Sequence, residues 1–414
     1  MNSQFEDYDY ERAAELRRLR RQKRRRKVMM MRAVFFLVLL LIVAGGVFAV
    51  SRIVQKKDSG TSGTSGSGKN DTVSNVTVTE APRETEAVPA ATEAVPAKTE
   101  APAQTATSDL QSTLDQAALL AAGYDYDGAI ALLQQLPDYT GNAQVTQAIA
   151  DYEATKATCT AVDVTTIPHI FYHSLVNNTD AAFNVSVLGQ SQVDGMNAWM
   201  TTVEEFDKIT QQMYDNGYVF VRLHDLVTET TDADGTVHFS PNTSLMLPPG
   251  KKAVVLSVDD LSYYHSYEPA SFPDKLVLDE NGDVKCHYVK PDGSEEIGDF
   301  DVVPRLNTFL KEHPDGAYKG ARGTIALTGY NGVFGYRTDS DYQTKQHLTE
   351  DQQKWLDEHP DFDYDADIAG AKQIAEALKE EGWDFASHTW GHLSVTGKTV
   401  DQLRTDNEKW MNNV

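Results

Sequence analysis

Two short stretches of the sequence hold residue types that can bind a metal ion. Ser257-Val258-Asp259-Asp260 places two carboxylates in succession, closing the apolar run 252–258. An Asp pair there can cap a helix or make a turn. Yet a carboxylate at the mouth of a buried strand is costly to desolvate without a partner. His388-Thr389-Trp390-Gly391-His392 places two imidazoles four residues apart. On a helical turn that spacing puts both rings on one face, within reach of one ion. Two histidines and one carboxylate leave coordination positions open for water, the pattern of a catalytic rather than a structural zinc site.

Both stretches need elements to position them. Residues 167–176 read as a buried strand. Thr201 and Thr202 with Glu204 and Glu205 make a capping box. The helix it starts carries Val203, Phe206, Ile209 and Met213 on one face and stops at Gly217. Residues 218–221, 252–258 and 324–328 read as further strands. A helix over about 366–381 ends at Gly382 and leads to a fifth strand, 383–387. Strands alternating with helices predict an α/β fold with a parallel sheet or barrel over residues 165–414. In such folds the chemistry sits at the C-terminal strand ends, where both stretches lie.

The segment between the two stretches has its own pattern. Residues 276–289 alternate around Asn281-Gly282, a hairpin signal, and 301–310 read as a helix. Residues 329–337 are rich in glycine and aromatics, and read either as one side of a sugar groove or as a structural cap. Tyr263, Tyr264, His265, Tyr336 and Arg337 are candidate substrate contacts. His173, at the end of the first strand, is a further candidate and reads equally as a core histidine.

The N-terminal third has a different composition. Residues 1–57 hold 14 Lys plus Arg against 5 Asp plus Glu, a charge of +9; the whole chain carries −24, so the remainder carries −33. The acidic body argues against nucleic acid as a partner, because phosphate-backbone binding draws on a surplus of Lys and Arg. The basic segment 1–32 instead precedes an apolar run, 33–50, long enough to cross a bilayer, within an anchor span of 33–54. This order predicts a cytoplasmic tail, a single-pass transmembrane anchor and an extracellular body at the cell membrane. Residues 55–108 open Gly/Ser/Thr-rich and continue as a Pro-interrupted Thr-Glu-Ala repeat, a disordered stalk. Residues 109–160 turn Ala/Leu-rich with helical spacing, Leu110, Leu114, Ala117, Ala118 and Ala121 forming one stripe. They look like a tetratricopeptide-type helical hairpin. Too few repeats are present for an array, so a small collar packed on the next domain is expected. Cys159 and Cys286 read first as separate thiols, with a disulfide between them as the alternative in an oxidising compartment.

The two motifs resemble those of the polysaccharide deacetylases, carbohydrate esterase family 4, whose first motif is T/S-F-D-D and whose second is H-S/T-x-x-H. The resemblance covers roughly residues 165–414, and includes Tyr172-His173 and the Asp-Asn-Gly-Tyr at 215–218. It implies a distorted (β/α) barrel. It implies Asp259 as general base, and Asp260, His388 and His392 as ligands of a divalent metal, zinc by preference. It implies removal of N-acetyl groups from a polysaccharide such as peptidoglycan. Val258 stands where the family usually has Phe, and Leu261 where it has Gly. The family's later motifs, including the Leu-x-His that supplies the general acid, are not matched before Val414, so the resemblance implies a barrel lacking its C-terminal part. These departures leave open a polysaccharide O-acetyl esterase, or a non-catalytic glycan-binding protein on the same fold.

Overall fold

A computed structural model describes the backbone over residues 103–414 and the side chains from residue 109. The tail at 1–32, the anchor span at 33–54 and the stalk up to residue 102 lie outside the described residues. Among the described residues, no helix is long and apolar enough to cross a membrane.

The chain enters through three helices, α1 (Ala103–Ala122), α2 (Tyr126–Gln134) and α3 (Ala143–Lys156). Helix α1 begins inside the segment read as stalk. Pro102 is the last proline of the repeat, and nothing after it interrupts the helical hydrogen bonds. The Asp125 carboxylate caps α2, and the Asn142 side chain accepts from the N–H groups of Gln144 and Val145 to start α3. Leu114, Ala117 and Ala121 of α1, with Ala129, Leu133 and Val145, form one apolar cluster. Val219, Val221, Ala253 and Val255 complete that cluster, so the helices close one face of the sheet that follows. Lys319 N–H donates to the Gly123 carbonyl (2.7 Å), and the Tyr124 hydroxyl donates to that of Asp315 (2.6 Å).

From Thr160 the chain alternates strand and helix. β1 (Thr160–Ala161) and β2 (His169–Tyr172) precede α4 (Thr179–Ala182), α5 (Val185–Trp199) and α6 (Val203–Asp215). β3 (Tyr218–Phe220), the ribbon of β4 (Val227–Thr231) and β5 (Val237–Pro241), then β6 (Met246–Leu247) lead to β7 (Lys252–Asp260). β8 (Lys275–Leu278), β9 (Val284–Val289) and β10 (Glu295–Gly298) form a separate antiparallel sheet ahead of α7 (Val302–Glu312). The last part runs β11 (Thr324–Leu327), α8 (Ser340–Thr344), α9 (Glu350–Glu358), α10 (Tyr364–Glu381), β12 (Asp384–Ser387) and α11 (Val400–Asn413).

The five runs read as strands of one sheet do form one parallel sheet, in the order β12-β11-β7-β2 with β3 also on β7. Registers such as Tyr172↔Val258 and Leu327↔Asp260 align the C-terminal ends of β2, β7 and β11. Strand β7 is covered on both faces. Val254, Leu256 and Val258 belong to a core shared with Tyr172, Ile325, Leu378 and Trp383, while Ala253 and Val255 face the helical collar. Double burial explains its almost uninterrupted apolar run. The sheet is open, with β2 and β12 at its ends, so the described strands do not close the expected barrel. The first strand is also shorter than the run 167–176. Beyond Tyr172 the chain leaves the ladder: Leu175 N–H donates to the Asp301 carboxylate (2.9 Å), and Val176 bridges to Thr202.

Candidate metal centre

The last residue of β7 has a left-handed backbone. Asp260 (φ 75°), Leu261 (φ 24°) and Tyr263 (φ 48°) all have positive φ, which costs each non-glycine residue about 1–3 kcal/mol unless its surroundings enforce it. The surroundings do. Ser262 Oγ donates to the Asp260 carbonyl (2.7 Å) and lies 3.1 Å from Thr328 Oγ1 at the end of β11. Phe334 N–H donates to the Leu261 carbonyl (2.9 Å). Arg337 donates to the carbonyls of Ser262 (3.3 Å) and Tyr263 (3.1 Å). The turn aims the Asp260 side chain into the protein, where it is 9% exposed and its Oδ1 has no hydrogen-bond partner.

The two histidines follow β12 on a loop, not on the helical turn their spacing suggested. Thr389 (φ 65°) and His392 (φ 51°) are left-handed, which no α-helix tolerates. The backbone N–H groups between them point outward to another element. Those of Trp390 and Gly391 donate to the two carboxylate oxygens of Asp406 on α11, at 2.7 and 3.0 Å. His388 N–H donates to the Leu327 carbonyl (2.9 Å), and Thr389 Oγ1 accepts from Leu393 N–H (2.7 Å). The two rings lie 5.0 Å apart, centroid to centroid.

In this arrangement both Nε2 atoms stand 3.7 Å from Asp260 Oδ1. One atom from each of the three residues lies within 4.8 Å of the others. A gap of 3.7 Å is too long for a hydrogen bond. Ligands about 2.0–2.2 Å from a tetrahedral ion stand roughly 3.3–3.6 Å apart. A buried carboxylate oxygen with no donor, facing two imidazole nitrogens at near-ligand spacing, fits a divalent cation. Asp260, His388 and His392 could therefore hold a metal ion. The oxygen–nitrogen donor set suits zinc among other divalent ions.

Three tyrosines lie near enough to Asp260 to feel its charge. Tyr264 stacks on Tyr330 (centroids 5.1 Å) and packs edge-on against Tyr267 (5.5 Å). Burial, followed by the Asp260 charge, pushes the Tyr264 and Tyr267 hydroxyls well up. Burial likewise pushes Tyr330 up to about 12. All three therefore remain protonated at neutral pH. Tyr330 in turn meets Trp390 of the histidine loop edge-on at 6.5 Å.

The remaining sequence candidates divide. Asp259 is half-buried beside Asp260. Continuing the β2–β7 register by one residue sets His173 level with it. The His173 ring packs against the edges of Phe171 and Trp199, and its buried Nδ1 lacks a hydrogen-bond partner. Tyr264 lies near Asp260, as described. Tyr263, His265 and Arg337 are buried and bonded within the fold. The Tyr263 hydroxyl donates to Asp301 (2.8 Å), and the two His265 ring nitrogens meet Glu268 and the Tyr342 hydroxyl. Arg337 lies over Trp355 and holds the loop carbonyls. The Tyr336 hydroxyl donates to the Leu276 carbonyl (3.0 Å). These four groups hold the turn after Asp260 and its supporting sheet. Asp406, Thr328, Tyr267 and Tyr330 were not singled out from the sequence; none sits at a spacing that links it to the two motifs. Cys159 and Cys286 are both buried and unpaired.

No family model matches this sequence, and neither does any curated protein. A search of solved structures finds the Streptococcus pyogenes deacetylase PplD in complex with acetate, at 16% identity over 60% of this chain and 70% of that one. The TM-score is 0.25, too loose a superposition to carry an activity from one chain to the other.

Proposed function

We propose that this chain is a metal-dependent hydrolase that removes N-acetyl groups from a cell-surface polysaccharide, peptidoglycan or another N-acetylhexosamine polymer. The observation that carries the reading is the partnerless, buried Asp260 Oδ1 set 3.7 Å from the Nε2 atoms of His388 and His392. The resemblance of the two motifs to those of polysaccharide deacetylases supports it. Asp260, His388 and His392 hold the ion, zinc in this reading. When bound, a divalent ion supplies Lewis acidity, making a water more acidic and polarising an acyl oxygen.

The chain's own residues do the rest. Asp259 accepts a proton from the water that attacks the acetyl carbon. The C–N bond breaks, the acyl group leaves as acetate, and both protons of the water end on nitrogen as an ammonium group. The left-handed turn at Asp260–Tyr263 and the loop at His388–His392 bring their side chains together without further rearrangement, which favours preorganised chemistry. Tyr264, Tyr267 and Tyr330 wall off one side of the Asp260 carboxylate. In the same reading the basic tail stays in the cytoplasm, the apolar run anchors the chain, and the stalk carries the catalytic domain to its polymer.

The test is metal content and acetate release by the purified chain. One divalent ion per chain and chelator-sensitive release of acetate from an N-acetylglucosamine oligomer support the proposal. Release only from O-acetylated glycans would reassign the activity to an O-acetyl esterase. Metal binding with no release from either substrate would leave a glycan-binding protein, and sink the hydrolase reading.

A further inference from the structure

The loop carrying the two histidines is a short stretch of strained backbone, and its spacing to Asp260 depends on being held. Thr389 and His392 have positive φ, a conformation that persists only where the surroundings over-determine it. The surroundings converge on the two residues between the ligands. Asp406 is 7% exposed, and its two oxygens accept from Trp390 N–H (2.7 Å) and Gly391 N–H (3.0 Å). The Trp390 carbonyl, on the opposite side of the same residue, accepts from Gly329 N–H and Tyr330 N–H (3.0 Å each). Helix α11 adds contacts at i+3 and i+4 from Asp406, positions that share a helix face. Lys409 lies 3.9 Å over the Trp390 ring, and Trp410 Nε1 donates to the Leu327 carbonyl (2.8 Å), which also accepts from His388 N–H.

We infer that Asp406 is a positioning residue for the metal centre, fixing the span between His388 and His392 by clamping the two peptide N–H groups between them. The inference rests on the metal reading above and deepens it. Two adjacent N–H groups that converge on one point make a small anion-binding concavity. A carboxylate fills it with two charge-assisted hydrogen bonds, stronger than neutral ones. An amide there would offer one acceptor and turn its NH2 group against the second N–H. Serine would reach one N–H at most. The carboxylate thus joins α11 to the ligand loop without touching the ion. Partners of this kind typically change metal affinity about 10–100-fold when they are lost.

The experiment is a titration of the metal-free full chain with Co2+, read by its visible d–d absorption and by calorimetry, on wild type and three variants. Asp406→Asn is expected to weaken Co2+ binding about 10–100-fold and to change the shape of the d–d bands, because the ligands no longer hold their spacing. Asp406→Glu keeps both acceptors on a side chain one methylene longer, and is expected to lose only a few-fold in affinity, with a smaller change in the bands. Thr399→Ala removes the α11 N-cap, a hydroxyl that accepts from Gln402 N–H, and weakens the helix without touching the loop. It is expected to lower the Tm and leave the Co2+ affinity and spectrum unchanged. Wild-type affinity and spectrum in Asp406→Asn would overturn the inference, as would an equal loss of affinity in Thr399→Ala. If circular dichroism shows Asp406→Asn unfolded, Asp406→Glu decides: a few-fold loss with altered bands supports the role, and wild-type behaviour refutes it. Absence of Co2+ binding by the wild type would instead remove the metal reading itself.

Discussion

Asp260 Oδ1 and His388 Nε2 approach to 3.7 Å, too far for a hydrogen bond and close to the separation of two ligands on one ion. The carboxylate oxygen is buried and has no other partner. An uncompensated carboxylate destabilises the fold, so bound metal should be felt as stability. At a hundredfold excess over Kd, a divalent ion is expected to add about 2.7 kcal/mol. Asp260→Asn should lose that gain, yet be at least as stable as the wild type in chelator, because Asn carries no charge and tolerates positive φ well. Thermal melts with and without metal check both halves.

Asp259 sits beside Asp260 and is not needed to complete the three-residue group. Asp259→Asn is expected to cut acetate release by about 10²–10⁴-fold, the usual range for a lost general base, while metal content stays at the wild-type level. Full activity in this variant would show that another group takes the proton.

Two buried carboxyls should contribute stability that falls as the pH rises through the acid range. Asp339 is 1% exposed and its Oδ2 has no hydrogen-bond partner. Burial pushes its carboxyl up to about 7, against the hydrogen bond from Asp341 N–H, with the Asp341 charge adding and Lys409 opposing. Burial pushes Asp301 up to about 6, against its hydrogen bonds from Val302 and Tyr263. An unfolded Asp titrates near 3.9. Between about pH 4 and 7 the folded chain therefore holds protons that the unfolded chain has released. The contribution of these two groups is greatest below pH 4 and falls towards pH 7, by at most about 1.4 kcal/mol per unit for each group. Asp339→Asn still caps α8 and should flatten the slope between pH 6 and 7. Urea midpoints in chelator measure it, and identical slopes in variant and wild type would contradict the assignment.

Gly335 has φ +90°, and a Cβ there would stand 2.1 Å from the Asp274 carbonyl oxygen. No side chain fits without moving the backbone of the sheet that supports the turn after Asp260. Gly335→Ala is expected to cost about 3 kcal/mol, from strain and steric overlap together. A denaturant midpoint near the wild-type value would show that the loop can yield.

Much of the frame was legible because it is decided by neighbours in the chain. Thr202 and Glu205 make a reciprocal capping box, and Gly217 and Gly382 end their helices with positive φ. Asn281-Gly282 turns the β8–β9 hairpin, and the run at 252–258 became the central strand. The third strand of that small sheet, β10, and the β4–β5 ribbon were missed. Their strands are held by cross-strand pairing such as Glu296↔Tyr288 and Glu229↔Phe239, and the β4–β5 ribbon is exposed on both faces, so no burial period marks it.

The amino-acid sequence by itself determined which groups could meet a metal, one carboxylate of the Asp259-Asp260 pair with His388 and His392 (the motif resemblance gave the ligand role to Asp260), and which strands would end beside them. It did so because strand burial and motif spacing are written over a few residues. Only the tertiary structure set Asp260 Oδ1 3.7 Å from the Nε2 atoms of both histidines. It also decided that the histidines ride a left-handed loop, and that Arg337 and Tyr263 brace the site from within. Those outcomes depend on hydrogen bonds that the Asp406 carboxylate and the Asn331 carbonyl accept, and on one between Ser262 and Thr328, residues tied to the motifs by folding and by no period in the sequence.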